Sequence, residues 1–218
     1  MADKNLVLTD YKGDPNLGLY GFATDSYAVL APEYKKKSSL DVKVVETHVA
    51  ETPLAGMFAA GNSNRVLLPD TVRDHERKKL EEKGIDFYVV DSNYTALGNL
   101  VLANDNGCII STTLEDEKSD IEEALEVPVE VGTVAGLNIV GSAGIATNNG
   151  VLLHREASEE ELEKVEEVLD VDGDIGSVNF GSPYVGTGVL ANSKAALVGN
   201  NTKGPELGRI EKSLGFLD

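Results

Sequence analysis

The sequence contains no Trp, one Cys, two Met and three His in 218 residues. The lone Cys108 excludes an intrachain disulfide framework and fits a reducing compartment. Paired cysteines and a His-Glu-x-x-His are missing, which removes the common zinc signatures. No apolar run approaches the ~18 residues of a membrane span. The start, Met1–Asn5, leads into a short apolar strand rather than a signal peptide. A cytoplasmic chain with no membrane partner is expected. Cations are also scarce: 19 Lys and Arg against 37 Asp and Glu leave a net charge of −18. Free nucleic acid, DNA above all, is disfavoured as a sole partner, because phosphate binding needs Lys and Arg clusters. Lys35-Lys36-Lys37 is a short basic run and is expected to solvate a short helix. The carboxylates gather at 114–126 and 156–174, where solvated helix faces are expected. Such acidity suits a salt-rich, halophilic cytoplasm or steering towards a basic partner.

Glycine, by contrast, is plentiful at 22 residues, and it recurs in register. Gly98–Ile110 reads as a tight hairpin. An apolar run reaches Ala103, the turn Asn104-Asp105-Asn106-Gly107 follows, and a second apolar run starts at Cys108. Asn, Asp and Gly tolerate the positive φ that two-residue turns require. The pattern occurs five times, aligned on Ala23, Ala60, Ala103, Ala146 and Ala191, at spacings of 37, 43, 43 and 45. A Gly stands five residues before the Ala in four copies (Gly18, Gly98, Gly141 and Gly186) and four before it in the second (Gly56).

Helices are expected behind the hairpins. Ser158–Glu161 is a capping box followed by Leu162, Val165 and Leu169 on one face. Ser119–Glu122 reads as a second box, Thr71–Lys83 as a helix ended by Gly84, and Pro205 as a helix start. Pro32–Ser39 is the weakest. After four of the helices come β-rich runs at Val42–Val49, Ile85–Asp91, Val127–Val134 and Ile175–Phe180. The fifth copy lacks one, and Leu6–Thr9 is a strand without a partner at the other terminus. The expected fold is therefore α/β: a closed five-bladed α/β propeller of ββαβ repeats. One domain is expected, with repeats near 15–52, 53–95, 96–138, 139–183 and 184–218, and strand 6–9 closing the ring. Closure removes open sheet edges.

Chemistry is sparse. Some five-unit α/β propellers are guanidine-modifying enzymes with a Cys nucleophile, a His and carboxylates at the centre. Cys108, His48, His75 and His154 carry no such motif, so this enzyme class is only an alternative. Asp170–Asp174 lacks the continuation of a calcium loop and reads as a helix end plus a turn. Gly141–Gly144 and Gly186–Gly188 are expected to lead into strands, offering no helix N-terminus to a phosphate. No catalytic residue, metal ligand or cofactor emerges, and a rigid ring suited to binding remains.

Several motifs occur in family order: Gly61-Asn62-Ser63 with Leu67-Leu68-Pro69, Ala96-Leu97-Gly98-Asn99 with Asn104-Asp105, Gly176–Gly186, Leu190–Lys194 and Gly204–Ile210. Together they resemble the archaeal form of translation initiation factor 6, from about Leu6 onward. The resemblance implies the five-fold pseudosymmetric propeller (pentein) fold and a monomer that is not an enzyme. It also implies binding to the large ribosomal subunit, at ribosomal proteins and rRNA near the sarcin–ricin loop. That binding prevents premature joining of the small subunit, with release linked to a GTPase-type factor. The partner-binding residues carried over are Asn99 first, with Leu97 and Gly98 of its motif, then Met57, Asn104, Asp105, Ser142 and Tyr184.

Overall fold

Five short runs rich in Leu, Val and Ile become the middle strands of five three-stranded sheets. The computed structural model describes residues 6–217; Met1–Asn5, where a signal peptide was judged absent, and Asp218 lie outside the described residues. The middle strands are Tyr27–Leu30, Val66–Pro69, Cys108–Ser111, Val151–His154 and Ala196–Gly199, and every residue in them is buried. A strand covered on both faces needs continuous rather than alternating apolarity, and these five have it. Each pairs antiparallel with the strand before it and parallel with one that arrives after a helix or, in the fifth sheet, from the N-terminal end of the chain. In that fifth sheet Leu6–Thr9 runs parallel to Ala196–Gly199, as the unpartnered N-terminal strand requires. The result is a mixed α/β fold with pseudo-five-fold repetition.

The opening half of each hairpin departs from expectation. Gly98 lies in a single helical turn, Leu97–Leu100, and the strand is only Val101–Ala103. Matching turns are Leu17–Tyr20, Ala55–Phe58, Val140–Ala143 and Val185–Gly188. Gly141 and Gly186 thus sit in helical turns, not at strand starts. The cause is tertiary. Each turn packs against the turns of the units before and after it, in an unbroken cycle. A Cβ on Gly18, Gly56, Gly98, Gly141 or Gly186 would fall closer than 3.0 Å to the carbonyl oxygen of Gly186, Gly18, Gly56, Gly98 or Gly141, respectively. Five glycines therefore let five backbones touch around one axis.

The register of the second copy is also corrected. Gly61 pairs with Val66 and Asn62 N–H donates to Arg65 O, as Ala103 pairs with Cys108 and Asn104 N–H donates to Gly107 O. Gly61, not Ala60, is the equivalent position. Gly56 then stands five residues before it, like the other four glycines. The hairpin turn itself uses no positive φ at Asn104–Gly107. Its shape comes from the Asn104 side chain, whose Oδ1 accepts N–H bonds from Asn106 and Gly107.

The outer helices follow their sequence signals unevenly. Ser158 caps Glu159–Leu169, with Glu161 completing the box, and Asp170 ends it at φ 50°. Pro205 is the second residue of Gly204–Ser213. The Thr71–Lys83 helix shortens to Asp74–Glu81. Ser119 is no cap: a 3-10 segment, Thr112–Glu117, runs directly into Lys118–Leu125, and Ser111 caps the former. Pro32–Ser39 yields one 3-10 turn, Lys37–Leu40. The run Ile175–Phe180 is strand only as Gly173–Gly176. Five apolar clusters fill the spaces between the sheets and helices; one joins Leu67 and Val90 of the second unit to Leu97, Ile110, Ile121 and Leu125 of the third.

Gly98→Ala should lower the melting temperature sharply, because its methyl group meets the Gly56 carbonyl. Gly208→Ala, in an exposed helical position with open space around it, should stabilise by about 0.5–1 kcal/mol. Thermal melts of the two variants check the pair.

Candidate functional site

The five inner strands run between two ends of the ring, and the ends differ. At one lie the helical turns. The residues that follow the five glycines are Leu19, Met57, Asn99, Ser142 and Thr187, and they occupy equivalent places around the axis. Asn99, Ser142 and Thr187 form a polar arc, in which Ser142 Oγ donates to Asn99 Oδ1 at 2.9 Å. Leu19 and Met57 make the apolar remainder. Leu19, Asn99, Ser142 and Thr187 help line an axial cavity of ≈ 80 Å³.

The other end is closed by the hairpin turns. Ser63 donates through N–H and Oγ to the Asp105 carboxylate, and Asp105 N–H donates to Asn148 Oδ1. Asn148 N–H donates to Ser193 Oγ, and Ser193 N–H to Asp25 Oδ1. Asn148 Nδ2 bridges the Asp25 and Asp105 carboxylates at 2.7 Å each. Tyr27 O–H donates to Asn62 O and completes the circuit.

The sequence-derived residues therefore divide. Asn99, Met57 and Ser142 lie together at the helical-turn end. Gly98 is taken up in backbone packing, and Leu97 is fully buried in the core. Tyr184 precedes the turn Val185–Gly188, is partly exposed, and meets His154 edge-on at 5.7 Å. Asn104 and Asp105 are at the opposite end. Asn104 is buried; its Nδ2 donates to Thr147 O and Leu169 O while its Oδ1 accepts two N–H bonds. That uses its whole hydrogen-bonding capacity. Leu19 and Thr187 escaped the sequence reading, although their place after a repeat glycine was a usable signal.

Around the helical-turn end stand two-residue turns that follow the parallel strands. Ala50 and Glu51, Ala135 and Gly136, and Lys12 and Gly13 all have positive φ, as do Asn179, Phe180 and Gly181. Left-handed backbone is unfavourable outside glycine, and carboxylates hold it here. Glu76 accepts from Ala50 and Glu51 N–H, Glu161 from Ala135 and Gly136, and Glu206 from Phe180 and Gly181. These glutamates occupy the third position of outer helices and also cap them. The acidic helix Glu159–Leu169 is therefore not a purely solvated face: Glu161 and Glu166 bind backbone N–H groups while Glu159, Glu160 and Glu163 face water. Burial alone would raise the Glu161 carboxyl. The N–H groups of Gly136 and Ser158 and the hydroxyls of Thr133 and Ser158 outweigh it and hold the pKa below the ordinary 4.5.

Cys108 is fully buried in the core, and burial pushes its thiol pKa well up. His75 is exposed on its helix, and His154 Nδ1 accepts the Glu156 N–H. Among the described residues no group of three His, Cys, Asp or Glu is placed to hold a metal ion, and no helix is long and apolar enough to cross a membrane.

The model of the eIF-6 family matches residues 6–213. The chain belongs to the eIF-6 family. Curated relatives support the assignment over nearly their whole length. A translation initiation factor 6 of Pyrococcus horikoshii is 44% identical over 221 residues, covering 95% of this chain and 97% of that protein. The factor of that name in Haloquadratum walsbyi is 37% identical, with 98% of each chain covered. That of Saccharolobus islandicus is 38% identical, covering 97% and 99%. The match to the eIF-6 family spans both ends of the ring, so the choice between them rests on the geometry above.

Two outcomes follow for this eIF-6 family member. A native-state thiol titration should leave Cys108 unreacted until denaturant is added. Glu161→Gln should be less stable than wild type at neutral pH. A carboxylate with a depressed folded-state pKa contributes stability above its unfolded value, and that contribution disappears as pH falls through the folded one. The gap between the denaturant midpoints of the two proteins should therefore close below about pH 4.5.

Proposed function

We propose that this chain acts in translation initiation by binding the large ribosomal subunit and sterically preventing premature association with the small one. The eIF-6 family match over residues 6–213 carries the reading, and the names of the relatives agree with a part in initiation. The contacts would be ribosomal proteins and rRNA near the sarcin–ricin loop, and a GTPase-type factor would drive release. The five repeats near 15–52, 53–95, 96–138, 139–183 and 184–218 form one domain, a closed pentein propeller acting as a monomer in the cytoplasm. The cyclic packing of the helical turns and the pairing of Leu6–Thr9 with the last sheet support closure.

The docking face is the helical-turn end. Asn99, Ser142 and Met57 lie there on short, glycine-packed turns with little freedom to lose on binding, which favours affinity. The end bearing Asn104 and Asp105 has its polar groups engaged within the ring and serves the fold. A few central contacts would supply most of the binding energy. The acidic outer helices would steer encounter with basic ribosomal proteins and repel the rRNA of the small subunit. No catalysis is needed, and the Cys-dependent alternative has no accessible thiol.

Sucrose-gradient sedimentation tests the reading. The protein should travel with large subunits, and an excess should lower the yield of joined ribosomes. Sedimentation only at the top of the gradient, with joining unaffected, would sink it. Asn99→Ala should keep the wild-type melting temperature within a few degrees while binding the subunit several-fold more weakly. Unchanged affinity would move the contact to another face.

A further inference from the structure

Phe180 is the most exposed large apolar side chain among the described residues, at 78%. It sits at φ 65°, between Asn179 at 50° and Gly181 at 94°. An aromatic residue is a poor choice for left-handed backbone, and Gly or Asn would be easier. The corresponding turns carry Ala50-Glu51, Ala135-Gly136 and Lys12-Gly13, with no aromatic ring. This turn is also firmly held. Asn179 N–H donates to Thr202 Oγ1, Phe180 and Gly181 N–H donate to Glu206, and Asn179 Nδ2 donates to Pro15 O. Strained backbone that its surroundings over-determine, and that presents an exposed ring, marks a working surface rather than a packing compromise.

Two cations stand beside that ring in a chain of net charge −18, while the Glu206 carboxylate beneath the turn is taken up by backbone N–H groups and the Ser177 hydroxyl. Lys203 Nζ stands 5.9 Å from the ring centroid, and Lys203 is exposed with no ion pair among the described residues. Arg155 reaches over to donate to Gly181 O at 3.1 Å. Among the described residues its only carboxylate partner is the exposed Glu156 at 3.8 Å, a weak pair. Three residues beyond Gly181, Tyr184 leads into the turn that carries Thr187, so the surface is continuous with the helical-turn end. A planar ring beside two cations complements an unpaired base and its phosphates. A basic protein would be repelled by Arg155 and Lys203.

On these grounds, and resting on the reading that this chain docks on the large subunit, we infer that the turn Asn179–Ser182 presents Phe180 as a stacking platform for an unpaired rRNA base, with Lys203 and Arg155 taking adjacent phosphates. The test uses purified large subunits and the full-length chain. Phe180→Ala and Phe180→Leu should each bind about tenfold more weakly, while Phe180→Tyr should match wild type. Lys203→Ala should reduce the slope of log affinity against log salt by about one. Phe180→Gly relieves the backbone strain, so it should melt no lower than wild type while losing the same affinity; this separates loss of binding from misfolding. A benzophenone side chain at position 180 should crosslink to rRNA. Wild-type affinity in Phe180→Leu, or a crosslink to ribosomal protein alone, overturns the stacking platform and leaves subunit docking standing. A wild-type chain that fails to bind the subunit removes both.

Discussion

Five backbones touching around one axis constrain everything else in this molecule. Each helical turn places its glycine against the carbonyl oxygen of the preceding one, and the cycle returns from Gly186 to Gly18. Contact that close fixes the spacing of the five units. It leaves only short strands, such as Val101–Ala103, to span the ring. It also arranges the residues after the glycines as one ring of side chains, so that Asn99 and Ser142, forty-three positions apart in sequence, become hydrogen-bonded neighbours.

The two ends of the ring use polar groups in opposite ways. At the hairpin end, buried asparagines extend between units. Asn62 Nδ2 donates to Leu125 O, Asn104 to Leu169 O and Asn192 to Leu40 O, each reaching the end of a helical segment in the following unit. Helix C-termini leave carbonyls without intrahelical partners, and these side chains supply them. An unsatisfied buried carbonyl would cost about 1–3 kcal/mol, so the contacts both hold the units together and settle their order. At the helical-turn end the clamping is peripheral. Carboxylates brace the surrounding turns, and the side chains that follow the glycines lie inside that frame, with Ser142 bonded to Asn99. One place breaks the pattern: no bridge pair closes the segment between Val90 and Leu97, just before Asn99.

Much of this architecture was legible in the residues. The five glycines, the apolar middle strands and the partnerless strand Leu6–Thr9 are enough to give five α/β units and to assign Leu6–Thr9 to the last sheet, because period and burial pattern are local properties. The capping box at Ser158 was equally visible. The family motifs directed attention to Asn99. Less visible were the helical turns. Leu97–Leu100 looks like the start of a strand by composition, and only packing against neighbouring units makes it helical. Ser119 looked like a cap, but the 3-10 segment at Thr112–Glu117 had already started the helix.

The sequence by itself determined the number of units, their order and the sheet that Leu6–Thr9 joins, since apolar periodicity and glycine spacing survive without knowledge of long-range contacts. Only the tertiary structure separated the two ends. Asn99 and Asn104 are five residues apart and alike in chemistry. A three-residue strand sends one to the helical-turn end and the other into a buried latch. The same holds for Phe180. In sequence it ends a β-rich run, and in space the carboxylate of Glu206 holds it in a left-handed turn facing water. Hydrogen bonds between residues far apart in the chain make that distinction, and they exist only once the ring has formed.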